Sequence, residues 1–439
     1  MSAEGTVKTK GRSDTIKVDY LARVEGEGSL YVKIKNNRVV DTKFKIFEPP
    51  RFFEAFLRGR KYYEAPDITA RICGICPIAY QMSSSQAMEN AFGITVDGPI
   101  RELRRLIYCG EWIQSHALHV YMLHAPDFLG YESVIHMAKD FEDVVKQALE
   151  LKKIGNELMQ LMGGRDIHPI NMAVGGVYKI PPKEHFLKLA ERLKWAREAS
   201  IAMVRLVAGF NFPELERDYE YVALKHPEEY PFNEGRLVSN KGLDINISEY
   251  ENHFEEIHAE HSNALQSIHK SRGAYHVGPL ARYNLNFEQL PKVCKDLAKE
   301  LNFLPPVNNP FKSIIARSIE TLFACEEALR IIETVKLPEQ PGVEMKVRAG
   351  TGYGCTEAPR GICWHKYTVD EEGIIQLAKI VPPTSQNQRT MEEDLRDYVS
   401  NHIDTPKDRL TWECEQAIRN YDPCISCATH FLKLEIERD

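Results

Sequence analysis

Two Cys-x-x-Cys pairs stand near opposite ends of the 439-residue chain and constrain its folding more than any other feature. One pair is Cys73 with Cys76, and the other is Cys424 with Cys427. Each pair can place two sulfurs on one ion, but zinc ribbons keep their two pairs only about 15–20 residues apart. If these four sulfurs bind together, the whole chain must close first, which favours a buried site between packed helices.

Both pairs are predicted to lie at helix N-termini. Pro77 and a helix-like run from Gln81 follow the first pair, while Asp422 and Pro423, suited to capping and starting a helix, precede the second. Free N–H groups and the helix dipole favour thiolate there, and thiolate is the form that binds metal. For two bare pairs, a tetrathiolate zinc site or an iron–sulfur cluster is the commonest outcome.

Composition narrows the class of protein. Hydrophobic residues are 43% and charged residues 27%, as in ordinary soluble globular proteins, and the net charge of −7 argues against a nucleic-acid partner. No apolar run is long enough for a membrane span, and the N-terminus is polar, without a signal-peptide core. Ten cysteines are too sparse for a disulfide scaffold, so we expect a cytoplasmic protein.

Hydrophobic periodicity predicts a mainly α fold with peripheral β structure (α+β). We expect an N-terminal antiparallel sheet over 15–50, a large helical body over 70–336, a Gly/Pro-rich irregular region over 337–400, and a C-terminal helix and tail over 420–439. Within the irregular region, segment 337–382 is expected to be irregular or strand-like. Within the body, helical spacing is found over 100–125, 135–163, 184–211, 249–271, 286–302 and 311–336. The prediction is a single domain, 1–439, with the metal site between the two cysteine pairs.

Several short motifs occur around and between the cysteine pairs. In chain order they are Arg23-Val24-Glu25-Gly26, Arg51-Phe52-Phe53-Glu54, Arg71-Ile72-Cys73-Gly74-Ile75-Cys76, Ser115-His116-Ala117-Leu118-His119, Glu357-Ala358-Pro359-Arg360-Gly361 and Asp422-Pro423-Cys424-x-x-Cys427-x-x-His430. In this order they resemble the large subunit of [NiFe] hydrogenases. Two further segments resemble the cytoplasmic, multimeric group of sulfhydrogenase or bidirectional type, which is linked to pyridine nucleotides: Gly278-Pro279-Leu280-Ala281-Arg282 and Val381-Pro382-Pro383-Thr384-Ser385-Gln386-Asn387.

The resemblance implies a catalytic subunit that cleaves H2 reversibly and heterolytically into protons and electrons. Cys73 and Cys424 would be terminal nickel ligands, while Cys76 and Cys427 would bridge nickel and iron. Four soft thiolates suit a nickel ion that changes oxidation state. The iron of the family also carries CO and CN ligands.

The resemblance also assigns residues around the iron. Arg360 matches an arginine that overhangs the metals, where a guanidinium supplies fixed positive charge and directed donors. Pro359 would pack with it around the diatomic ligands; an ordinary salt bridge is the alternative for the arginine. Many relatives use Ser or Thr to bond a cyanide, but the aligned residue here is Pro383, which has no donor, so Thr384 is the candidate.

A proton gate and a second ion site follow from the same resemblance. Glu25 matches the proton gate, since a carboxyl group can accept a proton from a thiol and pass it outward; Glu27 is its local competitor. Glu54, His430 and the backbone carbonyl aligned with Lys379 match the ligands of a magnesium or similar ion, although histidine is an unusual ligand for magnesium. Surface exposure of either glutamate and a capping role for His430 are the alternatives.

Some positions depart from the family or stay open. Tyr80 stands where the family usually has histidine, so altered redox tuning is expected. His116 and His119 are expected to be satisfied core or second-layer histidines rather than a zinc pair. The remaining cysteines are predicted to be buried small hydrophobes: Cys109, Cys294, Cys325, Cys355, Cys363 and Cys414.

The resemblance implies partners. The chain lacks further cysteine clusters and a Gly-x-Gly-x-x-Gly motif, so electrons would leave through a small iron–sulfur subunit and then a flavin and iron–sulfur reductase module for NAD(P), or to ferredoxin. The resemblance also implies that a C-terminal tail is removed after metal insertion; here Phe431–Asp439 follows His430, and the chain is either a precursor that is cut there or a form that is not processed. The competing hypotheses are a non-catalytic relative like the quinone-site subunit of complex I, and a structural zinc or iron–sulfur protein.

Overall fold

The computed structural model describes residues 11–430. The expectations for residues 1–10 and for the tail Phe431–Asp439 lie outside the described residues. None of the described helices combines the length and the apolar character needed to cross a membrane.

Helices form most of the body. The α-helices are α1 (Phe53–Leu57), α2 (Ala65–Thr69), α3 (Pro77–Phe92), α4 (Gly98–Ala117), α5 (Ala125–Leu129), α6 (Val134–Met137), α7 (Glu142–Gly163), α8 (Lys183–Ala208), α9 (Tyr250–His253), α10 (Pro279–Asn286), α11 (Lys292–Glu300), α12 (Ser313–Thr334), α13 (Pro383–Asn401), α14 (Lys407–Arg419) and α15 (Ile425–Ala428). A π-helical segment, Leu118–His124, continues α4. The long helices α4, α7, α8 and α12 pack against one another around the largest apolar cluster.

The strands form small antiparallel sheets at the edges. They are β1 (Asp14–Val18), β2 (Gly28–Lys35), β3 (Arg38–Ile46), β4 (Met172–Ala173), β5 (Gly176–Val177), β6 (Val222–Lys225), β7 (Arg236–Ser239), β8 (Asp244–Ile245), β9 (Phe254–His258), β10 (Leu265–His269), β11 (Gly350–Ala358), β12 (Gly361–Val369) and β13 (Ile375–Val381). The three-stranded sheets have the orders β1-β2-β3, β6-β7-β8 and β11-β12-β13. The predicted mainly α fold with a peripheral N-terminal sheet is therefore confirmed.

Two segments differ from the sequence-based expectation. The helix predicted over 249–271 is wrong: after the short α9, strands β9 and β10 pair as a hairpin. Tyr250, Phe254 and Ile257 imitate helical spacing, but the buried Phe254 stacks on Tyr250 while the backbone extends into the hairpin. The region 337–400 is not irregular throughout, because β11, β12, β13 and most of α13 lie within it.

The packing of α3 on β11 matters most for the site. Gly352 and Gly354 of β11 face the backbone of α3 so closely that a Cβ at Gly352 would meet the Ala87 carbonyl oxygen at 1.9 Å. Only glycine permits this approach. It holds the helix that begins after Cys76 against the strand that leads to Arg360.

Candidate metal centre

Four buried sulfurs from the two ends of the chain meet. Cys73 follows a short 3-10 helix, Cys76 is the N-cap of α3, and Cys424 is the N-cap of α15, which contains Cys427. The Sγ–Sγ distances are 3.5 Å from Cys73 to Cys424, 4.0 Å from Cys76 to Cys427 and 2.9 Å from Cys424 to Cys427. Within residues 11–430, Cys73, Cys76 and Cys427 form the one group of three metal-binding side chains whose ligand atoms all lie within 4.8 Å of one another.

The electrostatics of this cluster fit a cation. Hydrogen bonding from Cys424 lowers the pKa of the Cys73 thiol well below its usual value, and backbone N–H groups of Ile75 and Cys76 donate to its sulfur at 3.3 Å. Burial raises the pKa of Cys427 well above its usual value. Four thiolates cannot coexist in a dry site without a positive ion, and soft sulfur ligands suit nickel or iron.

Asp422, which precedes the second cysteine pair, does not have the helix-capping role that the sequence predicts. Asp422 does not cap the last helix, which begins at Ile425; it has φ +51° and accepts a hydrogen bond from Arg360. The turn before Cys424 is therefore held by the hydrogen bonds from Arg360 to Asp422 and not by a helix cap.

Arg360 occupies the two-residue turn between β11 and β12, and its side chain is buried beside the cluster. Its Nε donates to the Asp422 carbonyl at 2.6 Å and its Nη2 donates to the Asp422 carboxylate at 3.0 Å. The buried Nη1 has no partner among the described residues. This free N–H group of Arg360 is suited to donate a hydrogen bond to a metal ligand that carries an acceptor atom.

The start of α13 contacts the backbone of the C-terminal cysteine pair. Thr384 Oγ1 accepts a hydrogen bond from the backbone N–H of Cys424 at 3.1 Å, so its own O–H is still able to donate. Ser385 was not predicted as a site residue; its buried hydroxyl has no partner within residues 11–430. Pro359 contributes a carbonyl to Arg282 at 2.9 Å.

Glu25 lies directly against the C-terminal pair. Its Oε2 accepts from Cys424 Sγ at 3.0 Å and from the Ser426 N–H at 3.0 Å, and its backbone carbonyl accepts from the Ile425 N–H at 3.0 Å. Glu25 is half-buried, whereas Glu27 is exposed. The geometry therefore separates the two glutamates that the sequence left in competition.

Glu54 and His430 meet at the end of β13, but the carbonyl there is that of Ile380 and not of Lys379. His430 Nε2 lies 2.6 Å from the Ile380 oxygen and 3.8 Å from Glu54 Oε1, and Glu54 accepts from the Ile380 N–H at 2.8 Å. The Lys379 ammonium pairs with Glu251 at 2.9 Å. In the structure the carbonyl next to His430 is therefore that of Ile380, where the resemblance implies that of Lys379.

Two carbonyl oxygens face the His430 imidazole, although a neutral imidazole can donate to only one of them. Its Nδ1 lies 2.5 Å from the Cys427 carbonyl oxygen while Nε2 lies near the Ile380 oxygen, so two acceptors face one imidazole. Burial lowers the pKa of His430 to about 4, and a neutral imidazole can donate from one nitrogen only. If Nδ1 donates to the Cys427 carbonyl, Nε2 and the Ile380 oxygen are both acceptors. A cation bound by these two atoms and Glu54 would explain why they lie so close together.

Further residues hold the two cysteine-bearing loops together. Arg51 Nη2 donates to the Ile72 carbonyl at 2.7 Å and to the Ser426 carbonyl, so one guanidinium ties both loops. On α4, the Glu111 carboxylate accepts from the Ile78 N–H at 2.6 Å and Gln114 donates to the Ile75 carbonyl at 2.5 Å. The sequence motifs predict none of these roles, because each depends on a contact between distant segments.

His116 of α4 and His119 of the π-helical segment are each bonded to a group in the protein core. His116 Nε2 lies 3.0 Å from the Glu320 carboxylate, and His119 Nε2 lies 2.8 Å from the Arg419 carbonyl oxygen. Both side chains are buried. They behave as the core histidines that the sequence favoured. The six other cysteines are also free and buried.

Tyr80 provides a test of redox tuning. Its ring is fully buried and its hydroxyl has no partner among the described residues; burial raises its pKa well above the usual value, so it remains a donor. Because a donor beside metal-bound sulfur alters the electron density of the sulfur, Tyr80→His and Tyr80→Phe are both expected to shift the catalytic potential measured by protein-film voltammetry. Unchanged potentials in both variants would show that Tyr80 does not act on the cluster.

Comparisons with known proteins agree with this site. The family model for nickel-dependent hydrogenases matches residues 51–146 and 249–430. Sulfhydrogenase 1 subunit alpha of Pyrococcus furiosus is 34% identical over 423 residues, covering 95% of this chain and 98% of that protein. NAD-reducing hydrogenase HoxS subunit beta of Cupriavidus necator is 28% identical, covering 96% and 95%.

Solved structures give the same result. The NAD+-reducing [NiFe]-hydrogenase in its H2-reduced state superposes with a TM-score of 0.86 at 26% identity, covering 95% of this chain and 99% of that chain. The Ni-Fe-Se hydrogenase of D. vulgaris Hildenborough superposes with a TM-score of 0.76 at 25% identity, covering 95% and 100%. The chain belongs to the nickel-dependent hydrogenase family, as the large, catalytic subunit of a [NiFe] hydrogenase.

Proposed function

We propose that Cys73, Cys76, Cys424 and Cys427 together hold the nickel–iron centre, with CO and CN on the iron. When bound, this centre supplies the redox chemistry that splits H2 into protons and electrons. The observation that carries the proposal is the convergence of four buried sulfurs from both ends of the chain. Metal analysis of the purified complex should give nickel and iron, and infrared spectroscopy should give bands of metal-bound CO and CN.

The residues around the sulfurs are proposed to bind the ligands of the iron. Arg360 presents a fixed positive charge and a free N–H beside the cluster, and Pro359 packs next to it. Thr384 and Ser385 offer hydroxyl donors from the start of α13. Such donors suit cyanide nitrogen atoms, which accept hydrogen bonds but cannot bond to Pro383.

Protons leave through Glu25 in this proposal. The contact with Cys424 Sγ at 3.0 Å lets the carboxylate take a proton from that sulfur. Its other side is partly open to solvent, so the proton can be passed outward. The alternative gate, Glu27, is too exposed to serve as a first acceptor from a buried thiol.

A magnesium or similar ion is proposed between Glu54, His430 and the Ile380 carbonyl. One carboxylate, one carbonyl and one imidazole leave positions for water, which magnesium usually keeps. This ion site is next to the cysteine cluster, because His430 follows Cys427 by three residues and its Nδ1 contacts the Cys427 carbonyl. The ion would therefore stiffen the last turn that presents Cys424 and Cys427.

Replacing Glu54 tests this ion site. Glu54→Gln keeps the shape but removes the anionic ligand, so divalent-ion affinity is expected to fall on the order of 100-fold. Metal analysis after dialysis checks it, with Glu251→Gln as the control because Glu251 pairs with Lys366 and Lys379 instead. Full retention of the ion in Glu54→Gln would contradict the assignment.

Electrons are proposed to leave through a small iron–sulfur subunit seated beside Cys73. Two observations on the exposed apolar side chains support this, since an obligate interface is apolar. Exposed Ile167 lies beside Gly74, and exposed Tyr63, Ile170 and Tyr178 line one surface cleft. A flavin and iron–sulfur reductase module for NAD(P), or ferredoxin, would follow, as the likeness to NAD-reducing relatives suggests. Assays of the native complex with NAD+, NADP+ and ferredoxin distinguish these acceptors.

We also propose a cytoplasmic location. Its support is that all ten cysteines are free and buried, as expected in a reducing compartment. Fractionation of cells with an antibody to the chain tests this directly.

The alternatives predict different metals. A non-catalytic relative would hold neither nickel nor iron, and a structural site would hold zinc or iron alone. The four intact sulfurs, with Glu25 and Arg360 on two sides, favour the catalytic assignment.

A further inference from the structure

Arg282 is the most completely bonded side chain near the site, and no motif role accounts for it. It lies in the first turn of α10, fully buried. A guanidinium has five N–H donors, and all five are used. Nε and Nη2 donate to the two oxygens of Glu320 at 2.8 and 2.7 Å, and Nη1 donates to Glu357 at 2.8 Å. The last two N–H groups donate to the Ala358 carbonyl at 2.8 Å and the Pro359 carbonyl at 2.9 Å.

The partners that hold Arg282 are themselves fixed. Glu320 on α12 also accepts from the Tyr230 hydroxyl at 2.7 Å and faces His116 Nε2 at 3.0 Å. The Trp112 ring lies 4.2 Å from the guanidinium carbon. Since Arg282, Glu320 and Tyr230 are fully buried and bonded to one another, the network holds the guanidinium in place.

The backbone before Arg282 touches the backbone at Arg360. A Cβ on Gly278, which has φ +111°, would lie 2.6 Å from the Arg360 carbonyl oxygen. A Cβ on Gly361, with φ +133°, would lie 2.9 Å from the Gly278 nitrogen. The segment Gly278–Arg282 therefore forms a cradle under the turn that carries Arg360.

We propose that Arg282 is a positioning residue of the hydrogenase site: by binding the carbonyls of Ala358 and Pro359 it sets the direction in which Arg360 presents its free Nη1. The inference rests on the role proposed for Arg360. Arg282 itself touches none of the four sulfurs through a hydrogen bond. It acts through the two peptide groups that precede Arg360, and through Glu320, which anchors it to α12.

Arg282→Lys tests this inference. Lysine keeps the positive charge but has three donors instead of five, so at least two of the acceptors lose their bond. The turn at Arg360 is then free to shift, and a displacement of about 1 Å near reacting groups can cost on the order of 100-fold in rate. We expect a fall of that order in H2 turnover of the native complex, shifted infrared bands of the iron ligands, and a displaced Arg360 side chain in the crystal structure.

Arg104→Lys is the matched control. Arg104 is also buried, forms a two-pronged pair with Glu89 and donates to the Ala173 and Gly176 carbonyls, but these belong to the β4–β5 hairpin and not to the site. It should lower thermal stability about as much as Arg282→Lys and leave the infrared bands unchanged. Equal effects of both variants on turnover and spectrum would overturn the positioning role.

A crystal structure of the Arg282→Lys variant tests this inference independently of the metal assignment. If the wild-type complex holds nickel and iron but shows no CO or CN bands, the proposed iron ligands are wrong, while the position of Arg360 in Arg282→Lys still decides the inference. An unmoved Arg360 in that variant would overturn it; a moved Arg360 supports it whatever the metal content.

Discussion

Replacing Cys427 with serine is expected to abolish H2 oxidation and to empty the centre of nickel and iron. Cys427 Sγ lies 2.9 Å from Cys424 Sγ and 4.0 Å from Cys76 Sγ, so it touches both halves of the cluster. A serine hydroxyl is a hard ligand that stays protonated near neutral pH, and it cannot replace a soft thiolate. The result is checked by metal analysis and by hydrogen-dependent reduction of a dye.

The control for this variant is Cys325→Ala. Cys325 is equally buried, but its sulfur lies 3.7 Å from the Ser200 hydroxyl, where α12 packs on α8, and it is bonded to none of the four sulfurs. It should retain metals and turnover. Near-normal nickel content with full turnover in Cys427→Ser would show that this cysteine is not a ligand.

Glu25→Gln is the second substitution expected to have a large effect. Glutamine keeps the size of the side chain, and its amide oxygen can still accept from the Ser426 N–H. It cannot take up a proton from Cys424 Sγ, so proton exit is blocked while the metals remain bound. Since a positioned proton acceptor contributes about 100- to 10,000-fold, exchange between H2 and D2O should fall within that range.

Glu27→Gln is the matched control, because it makes the same change two residues away on an exposed side chain. It should exchange hydrogen isotopes at the wild-type rate. Normal exchange in Glu25→Gln with full metal content would remove Glu25 from the proton path.

The fold was predictable where one periodicity dominates. The apolar stripe of α8, with Phe186, Leu193 and Met203 all buried, matches its helix closely. The helix predicted over 249–271 ends after α9, because the chain from Phe254 forms a strand although Tyr250 and Phe254 have helical spacing. Local spacing cannot reveal a hairpin whose stability depends on pairing with the segment 265–269.

The site was predictable where it depends on motifs and not where it depends on contacts across the fold. The cysteines and Glu25 are brought together as the motif order implied. The carbonyl at His430 belongs to Ile380 and not to Lys379, since strand register fixes which carbonyl turns toward the imidazole. Arg51 and Arg282 act through backbone carbonyls of distant segments, which no residue pattern records.

Anomalous diffraction at the nickel and iron edges from crystals of the native complex tests the central claim most directly. The account predicts one nickel peak and one iron peak enclosed by Cys73, Cys76, Cys424 and Cys427, with Glu25 beside Cys424. A single zinc ion among the four sulfurs, or no metal there in a complex that oxidises H2, would contradict it.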